Sequence, residues 1–334
     1  MAEPRILLIR LGSLGDIVHT LPAAAALRDT FPSARIDWAV EQKWRRLLEG
    51  NRDLSNIVSV DRKNAAGIAG TIGTLRAANY TCAIDFQALY KSAGLAFASG
   101  ATRRIGFQSS YAREGLAALF YTERLNPRGP HKVDHNLTLA EYAGARRSQP
   151  RFPLAILPED EESVGLQMKA RELKEYVVLN PGGGWRSKCW PAERYGQLHR
   201  KLMERFGWRG VVTPGPGEEG LARRAIEAAG AEPPVKISVG LGPLMALLRG
   251  AKLVVSADTG PLHLASALGS PVVGLYGPTD PARNGPYSEG DVIVRNPGCC
   301  ATNYRRGKDY DRAMLSITVE QVFEAAVRRL ESGG

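Results

Sequence analysis

Short apolar runs alternate along this chain with stretches that repeat apolar residues at helical spacing. In the first half the apolar runs predict five strands: RILLIR, RIDWAV, IVSVD, CAIDF and RIGF. The pattern then starts again, with EYVVLNPGGG, RGVVTPGPG, VKISVG, KLVVSADTG and PVVGLYGPTD. Strands that alternate with helices are typical of parallel sheets covered by helices on both faces. The sequence therefore predicts an α/β protein with two doubly wound halves, joined by the Pro- and acid-rich stretch 153–163.

The helical stretches of the first half are IVHTLPAAAALRDTF, KWRRLLEG, IGTLRAANY and ALYKSAGLAFASG. The last segment, SITVEQVFEAAVRRLES, predicts an amphipathic final helix. Thr318 and Gln321 have the spacing of a capping box at its start.

Length and composition agree with two globular domains. The chain has 334 residues, more than most single cores support, which favours two domains of roughly 150 residues each. We find no apolar run close to the roughly 18 residues that a membrane span needs, and the first residues lack the pattern of a signal peptide. The protein is thus expected to stay in the cytoplasm. The four cysteines show no CxxC spacing, so neither structural zinc nor a disulfide framework is expected.

Positive charge is concentrated in the first half. Of the net charge of +10, residues 1–155 carry 21 Lys and Arg against 13 Asp and Glu, whereas the remaining residues carry 23 against 21. A basic half indicates a polyanionic partner, such as nucleic acid, an anionic membrane surface or a phosphorylated substrate. A solvated basic surface without a partner is the alternative.

Candidate chemistry lies in the loops that follow the strands, because open α/β sheets bind ligands at the carboxyl ends of their strands. The loop NPGGGWRSKCWP (residues 180–191) combines glycines, which let backbone N–H groups approach an oxyanion, with the cations Arg186 and Lys188. It lacks the spacing of a P-loop, so ATP hydrolysis is not indicated. A plain loop with surface cations is the alternative.

A second candidate is VVSADTGPLHLASALG, where a strand ends at Asp258 and Thr259. Gly260 permits close backbone approach and Pro261 suits the first position of the next helix. That geometry offers N–H groups to a phosphate, with His263 one turn further on. The alternative is a helix-capping aspartate with a buried histidine.

The dinucleotide fingerprint G-x-G-x-x-G occurs once, as GPGEEG (residues 215–220). A pyrophosphate at that helix N-terminus would meet Glu218 and Glu219, whose charge competes for the same N–H groups. We favour the interpretation that one of these glutamates binds a ribose diol. Ordinary acids in a first helical turn are the alternative.

The opening stretch RLGSLGDIVHTLP (residues 10–22) places Asp16 at a helix start, behind the first strand. The helix dipole favours an ionised carboxylate, so Asp16 could act as an anionic base, or only as a cap. The turn lacks G-x-G-x-x-G, which argues against a dinucleotide-dependent oxidoreductase, although Glu41 could mimic the acid that holds a nicotinamide ribose.

Taken together, RLGSLGDIVHTLPA, IDFQALYKSA, NPGGGWRSKCWP and SADTGPLHLASALGSPVVGLYGPTDP resemble the family 9 glycosyltransferases, specifically the lipopolysaccharide heptosyltransferases. The resemblance is collinear from about residue 5 to residue 330. Within the family the chain looks most similar to the heptosyltransferase I group, on the segments IDWAVEQ and IDFQALYKSA.

The resemblance implies a GT-B fold, with two doubly wound Rossmann-like domains facing a central cleft. Residues 1–157 would form the acceptor-binding domain, residues 158–317 the nucleotide-sugar domain, and residues 318–334 a helix that packs back toward the N-terminal domain. The implied reaction is the inverting, metal-independent transfer of L-glycero-D-manno-heptose from ADP-heptose to a Kdo residue of Kdo-lipid A, in lipopolysaccharide inner-core synthesis. No cofactor is expected, and no D-x-D metal motif stands in a suitable loop.

The resemblance also assigns roles to residues. Asp16 becomes the general base, Lys188 and the Thr259–Gly260 backbone bind the diphosphate, Asp258 and His263 flank it, and Glu218 or Glu219 binds the ribose. The residues assigned to acceptor binding are Ser13, Gly15, His19, Arg62, Lys91 and Arg104.

Kdo-lipid A carries phosphates and carboxylates, which the cations of the basic first half could bind. The same cations could contact the anionic inner face of the inner membrane, where the enzyme would be peripheral. The candidate cations are Arg45, Arg46, Arg62, Lys63, Lys91, Arg103, Arg104 and Arg113.

Alternatives remain open at this point. RLGSLGD is shared with heptosyltransferase II and with relatives that use other acceptors or sugars. A sugar-nucleotide epimerase with the same architecture would consume no lipid acceptor. Nucleic-acid binding is not expected, because aromatic residues do not alternate with Lys and Arg along any one element. The oligomeric state and the role of Cys299 and Cys300 are not predicted.

Overall fold

Two six-stranded sheets, built from parallel neighbours, organise the computed structural model, which describes residues 3–62, 64–296 and 310–331. The chain divides into two units, Met1–Ala155 and Ile156–Gly334, and each unit holds one sheet. The division lies close to the predicted boundary after residue 157. The roles predicted for the two domains stay predictions.

The first sheet has the strand order β3-β2-β1-β4-β5-β6. The apolar runs predicted β1 to β5, but β6 is too short and too polar to be recognised from the pattern. Its strands are β1 (Arg5–Ile9), β2 (Arg35–Glu41), β3 (Asn56–Val60), β4 (Cys82–Asp85), β5 (Arg103–Phe107) and β6 (Glu123–Leu125).

The second sheet has the order β12-β11-β10-β7-β8-β9. Counted from its own first strand, this is the same topology as in the first unit, the order of the Rossmann fold. The prediction of two doubly wound α/β halves is confirmed. The strands are β7 (Tyr176–Asn180), β8 (Arg209–Val212), β9 (Val235–Lys236), β10 (Leu253–Ala257), β11 (Val272–Leu275) and β12 (Val292–Val294).

Both sheets have a point where the strand order reverses, between β1 and β4 in the first and between β7 and β10 in the second. The connections leave such a pair of strands in opposite directions, which opens a crevice at their carboxyl ends. Residues 10–16 and 86–88 border the crevice of the first unit, and residues 181–189 and 258–260 border that of the second.

The helices of the first unit are α1 (Leu14–Val18), α2 (Leu21–Thr30), α3 (Ala65–Ala77), α4 (Tyr90–Ala98) and α5 (Lys132–Tyr142). Those of the second are α6 (Pro158–Ala170), α7 (Ala192–Phe206), α8 (Glu219–Glu227), α9 (Leu241–Arg249), α10 (Gly260–Ala267), α11 (Pro281–Asn284), α12 (Arg312–Ser316) and α13 (Val319–Glu331). Short 3₁₀ helices span Gln42–Leu47, Gly115–Phe120 and Arg186–Lys188. None of these described helices combines the length and apolarity that a membrane-spanning helix needs.

Two helix predictions were wrong in detail. The single helix predicted over IVHTLPAAAALRDTF is two helices, α1 and α2, because Pro22 has no N–H for a helical hydrogen bond and instead occupies the first turn of α2. The helix predicted over KWRRLLEG is largely a 3₁₀ helix.

The final helix α13 packs within the second unit, where its buried apolar residues join the core formed by β7, β10 and α7. The predicted capping box is confirmed. The Thr318 N–H donates to Gln321 Oε1 at 2.9 Å, and the Gln321 N–H donates to Thr318 Oγ1 at 3.2 Å. The expectation that this helix packs toward the N-terminal domain stays a prediction.

Candidate functional site

Asp16 lies in the first turn of α1, beside the strand reversal of the first sheet. The residue before the helix, Ser13, donates its hydroxyl to Asp16 Oδ2 at 2.9 Å. Two cations contact the other oxygen: Arg10 Nη2 lies 2.7 Å and Lys132 Nζ 2.8 Å from Oδ1. The Asp16 side chain nevertheless keeps 21% of its surface exposed. One carboxylate is therefore held by three neighbours and still open to solvent on one side.

The protonation state of Asp16 follows from these neighbours. Burial alone would raise the pKa of Asp16, but the positive charges of Arg10 and Lys132 outweigh burial and hold that pKa well below its usual range. The carboxylate is thus ionised at neutral and mildly acidic pH. This is the state that a proton acceptor needs before reaction.

Lys132 reaches Asp16 because α5 is fastened to the junction between α1 and α2. The Asn136 side-chain amide donates to the His19 carbonyl at 2.9 Å and to Thr20 Oγ1 at 3.0 Å. The rings of His19 and His131 meet edge to face, with centroids 5.2 Å apart. His19 and Gly15 are buried, and His19 helps to fasten α1 to α5. Their contact with the acceptor stays a prediction.

A second cluster surrounds Glu41, at the carboxyl end of β2. Lys91 Nζ lies 3.3 Å and Lys43 Nζ 3.5 Å from the carboxylate, and Arg62 pairs with it too. Burial tends to raise the pKa of Glu41, but Lys91, Arg62 and Lys43 together lower it. Arg62 and Lys91, both predicted to bind the acceptor, therefore converge on one carboxylate with a surplus of positive charge.

Arg103 and Arg104 do not belong to this edge. They stand at the start of β5, opposite Cys82 and Ala83 at the start of β4, and therefore at the far edge of the parallel sheet from Asp16. The Arg104 guanidinium donates to the carbonyls of Phe120 at 2.8 Å and Ala101 at 2.9 Å. The prediction that Arg104 contacts the acceptor thus has no support from its position.

The other predicted cations differ in their surroundings. Arg45 and Arg46 both pair with Glu49, at 3.2 and 2.9 Å, and Arg113 is exposed. Lys63, Cys299 and Cys300 lie outside the described residues.

In the second unit, four buried polar side chains meet at the strand reversal. Asp258 follows β10, and its Oδ2 lies 2.6 Å from Lys188 Nζ, which comes from the loop after β7. Asp258 Oδ1 contacts His263 Nε2 at 3.1 Å and accepts from Asn284 Nδ2 at 2.8 Å. The Asp258 side chain is only 4% exposed. Burial would raise the pKa of Asp258, but the hydrogen bond from His263 and the charge of Lys188 hold it far below its usual range.

The first turn of α10 adjoins this cluster. Pro261 stands in that turn, at the second residue of the helix rather than the predicted first, and the Thr259 hydroxyl lies 3.0 Å from Ser256 Oγ. The first N–H groups of a helix have no partner within the helix, and together with the helix dipole they favour an anion. Lys188 and the N-terminus of α10 thus form a positively polarised edge suited to phosphate groups.

Glu218 and Glu219, which the sequence could not distinguish, lie in different surroundings. The Glu218 carboxylate accepts the N–H of Gly215 at 2.9 Å and that of Gly183 at 3.2 Å, so it lies against the glycine-rich loop. A Cβ atom at Gly182 would lie 2.0 Å from Glu218 Oε2, so any larger residue there would displace this carboxylate. Glu219 is exposed in the first turn of α8. The geometry favours Glu218 as the ribose ligand, a role that stays a prediction.

Sequence reasoning missed Arg10, Lys132 and Asn284. Arg10 stands inside the opening motif, so its position near Asp16 was open to inference. Lys132 and Asn284 reach their carboxylates from distant segments, and no local pattern marks them. Among the residues that the structure describes, no three His, Cys, Asp or Glu side chains gather as metal ligands would.

Comparison with known proteins agrees with this architecture. Residues 70–314 match the model of glycosyltransferase family 9 (heptosyltransferase). Lipopolysaccharide heptosyltransferase 1 of Escherichia coli K12 is 31% identical over 88% of this chain and 94% of its own length. The enzyme of the same name from Pseudomonas aeruginosa is 30% identical over 95% of this chain and 92% of its own. The structure of E. coli heptosyltransferase WaaC with ADP superimposes with a TM-score of 0.78 at 27% identity, covering 97% of this chain and 99% of that one.

Proposed function

The chain belongs to glycosyltransferase family 9, and from this premise we propose that it transfers L-glycero-D-manno-heptose from ADP-heptose to a Kdo residue of Kdo-lipid A. The names of its relatives support a heptose and a lipopolysaccharide acceptor, and the ADP in the WaaC structure supports an adenosine diphosphate donor. The observation that carries the proposal is the ionised, partly exposed Asp16, held by Arg10 and Lys132. Such a carboxylate is what a glycosyl transfer to a hydroxyl group requires.

On the donor side, Lys188 would stabilise the charge that develops on the leaving diphosphate. An ammonium group has three donors, and the contact with Asp258 leaves others for phosphate oxygens. Amide groups at the start of α10 would add fixed dipoles, so that no reorganisation is needed during the reaction. Because these groups supply positive charge themselves, we propose a transfer that is independent of a metal ion. Glu218 would hold the ribose.

On the acceptor side, Asp16 would take the proton of the attacking hydroxyl. Its low pKa makes it a weak base toward a free alcohol, but the hydroxyl becomes strongly acidic as its oxygen bonds to the anomeric carbon. Proton transfer late in the displacement therefore suits a carboxylate. A single displacement from the face opposite ADP inverts the anomeric configuration.

The surplus positive charge around Glu41 supports an anionic acceptor. Arg62 and Lys91 are the candidates for its phosphates and carboxylates, and Ser13 would line the turn next to Asp16. Because the proposed acceptor is a lipid, we also place the enzyme at the cytoplasmic face of the inner membrane, as a peripheral protein.

The acceptor can be tested directly. Purified enzyme is incubated with ADP-heptose and either Kdo₂-lipid A or the same lipid already carrying one heptose. The masses of the products are then measured by mass spectrometry. We expect one heptosyl residue to be added to Kdo₂-lipid A. Transfer only to the heptosylated lipid would assign the protein to a later step, like that of heptosyltransferase II. If ADP-heptose gave no product and another nucleotide sugar did, the proposal that ADP-heptose is the donor would be wrong.

A further inference from the structure

Large apolar side chains are exposed together on two neighbouring elements of the first unit, α4 and the 3₁₀ helix Gly115–Phe120. Phe97 is 59% exposed, Leu116 63% and Leu119 69%, and Tyr90 is also exposed. A 3₁₀ helix repeats every three residues, so Leu116 and Leu119 share a face. Tyr90 and Phe97 lie two turns apart on one stripe of α4. We call these four side chains the exposed apolar patch.

The patch is a single structured surface rather than two mobile segments. The ring of Phe97 meets that of Phe120 edge to face, with centroids 5.9 Å apart. The Tyr90 N–H donates to Glu114 Oε2 at 2.6 Å, which joins the start of α4 to the start of the 3₁₀ helix. A small buried core packs α4 against the 3₁₀ helix. Its members are Ala93, Ala117, Ala118 and Tyr121.

Cations surround the patch. The Arg104 guanidinium lies 5.5 Å from the centroid of the Phe97 ring, and the Arg76 Nε donates to the Ala98 carbonyl at 3.1 Å, at the end of α4. Lys91 neighbours Tyr90, and Arg113 is exposed beside the 3₁₀ helix. The structure gives Arg113 no ion pair among the residues it describes. The nearby Glu114 carboxylate is engaged by the Tyr90 backbone.

An apolar surface ringed by cations matches the interface of an anionic bilayer, where apolar side chains enter the acyl boundary and cations meet lipid phosphates. A monomeric protein rarely leaves several large apolar side chains exposed together without a partner. A second copy of this chain would bring the same cations against this patch, and like charges oppose that pairing. Charge complementarity therefore favours lipid over self-association.

We propose that the exposed apolar patch docks the enzyme on an anionic lipid bilayer, with Leu116 and Leu119 inserted and Arg113 at the headgroups. This docking surface rests on the proposed function, because transfer to a lipid acceptor is the reason for the enzyme to bind a membrane. Lys91 belongs both to the rim of the patch and to the Glu41 cluster. Docking would thus bring Lys91, and with it the Glu41 cluster, close to the leaflet that holds a lipid acceptor.

Vesicle co-sedimentation tests the docking without any acceptor. The full chain is mixed with vesicles of phosphatidylcholine and phosphatidylglycerol in equal amounts, or of phosphatidylcholine alone. We expect binding to the anionic vesicles that weakens as salt is raised. The double variant Leu116→Ser/Leu119→Ser should bind roughly tenfold more weakly, and Arg113→Ser roughly fivefold more weakly.

The matched control is Leu166→Ser, because Leu166 on α6 is exposed to the same 63% as Leu116 and lies in the other unit. It should bind vesicles like the wild type. All variants should unfold at the wild-type temperature, since the altered side chains are exposed. The vesicles contain no sugar acceptor, so this result does not depend on whether heptose transfer is confirmed.

Two results would overturn the docking surface. One is undiminished vesicle binding by a folded Leu116→Ser/Leu119→Ser variant. The other is a dimer in sedimentation analysis that this variant dissociates, combined with an absence of vesicle binding, since that would assign the patch to a second copy of the chain.

Discussion

Asp16 and Asp258 offer a comparison within one molecule. Each lies at the carboxyl edge of a parallel sheet, where the strand order reverses, and each contacts a lysine from a distant segment, Lys132 or Lys188. The exposure of the two carboxylates differs: 21% of the Asp16 side chain is accessible against 4% for Asp258. A buried carboxylate enclosed by Lys188, His263 and Asn284 can fix a cation in place. The accessible carboxylate of Asp16 can in addition contact a substrate.

The largest effect should come from Asp16→Asn. The amide keeps the shape of the side chain but cannot take a proton, so turnover should fall by about 10²–10⁴-fold, the usual contribution of a general base. Calorimetry should show unchanged ADP affinity, because the donor groups lie in the second unit. The matched control Asp29→Asn removes a carboxylate that pairs with Arg151 at the surface, and it should retain wild-type turnover. Near-normal activity in Asp16→Asn would remove Asp16 from the mechanism.

Lys188→Met should instead lose ADP affinity, which Asp16→Asn keeps. It leaves the buried Asp258 carboxylate without its cation, which should cost about 3 kcal/mol of folding stability, and it should abolish measurable ADP binding. Thermal unfolding and calorimetry check the two effects. The double variant Lys188→Met/Asp258→Asn removes both charges and should regain most of the stability, but not the ADP affinity. Recovery of ADP binding in the double variant would contradict a direct contact between Lys188 and phosphate.

A smaller effect should separate the two neighbouring glutamates of the second unit. Glu218→Gln should weaken donor binding roughly tenfold, since a charged hydrogen-bond acceptor is lost. Glu219→Gln, in the exposed first turn of α8, should behave like the wild type. Titration with ADP-heptose measures both variants. If the effects were reversed, the ribose ligand would be Glu219.

The smallest effect at neutral pH should come from Lys132→Met, and it should grow as the pH falls. Arg10 and Lys132 hold the pKa of Asp16 below its usual range. Removal of Lys132 therefore raises that pKa, and Asp16 is protonated at a higher pH than in the wild type. The acid limb of kcat/KM should move to higher pH. Lys43→Met, which removes a lysine beside Glu41, serves as the control and should leave the profile in place. An unshifted acid limb in Lys132→Met would show that Asp16 ionisation does not limit the rate.

The sequence predicted most of the fold but only part of the site. Five apolar runs in each half predicted five of the six strands of each sheet, because buried parallel strands are nearly continuous in apolar residues. The edge strands β6 and β12, of three residues each, were missed. Asp16, Lys188 and Asp258 stand in recognisable loops after strands.

Partners from distant segments were beyond sequence reasoning. Lys132 contacts Asp16 across more than a hundred residues, through the packing of α5 on α2, and only the fold brings it there. Arg104 illustrates the opposite case, a prediction that the fold does not support. Its charge and its position in a basic half favoured an acceptor contact, but the strand direction puts it at the other edge of the sheet.

The anomeric configuration of the product tests the central claim most directly. If Asp16 acts as a base in a single displacement while the second unit holds the departing ADP, the new glycosidic bond must have the configuration opposite to that of the donor. Nuclear magnetic resonance of the heptosylated product, compared with the ADP-heptose supplied, reads both configurations from their one-bond carbon–proton couplings. We expect inversion. Retention of the donor configuration would require a different displacement chemistry and would contradict the role assigned to Asp16.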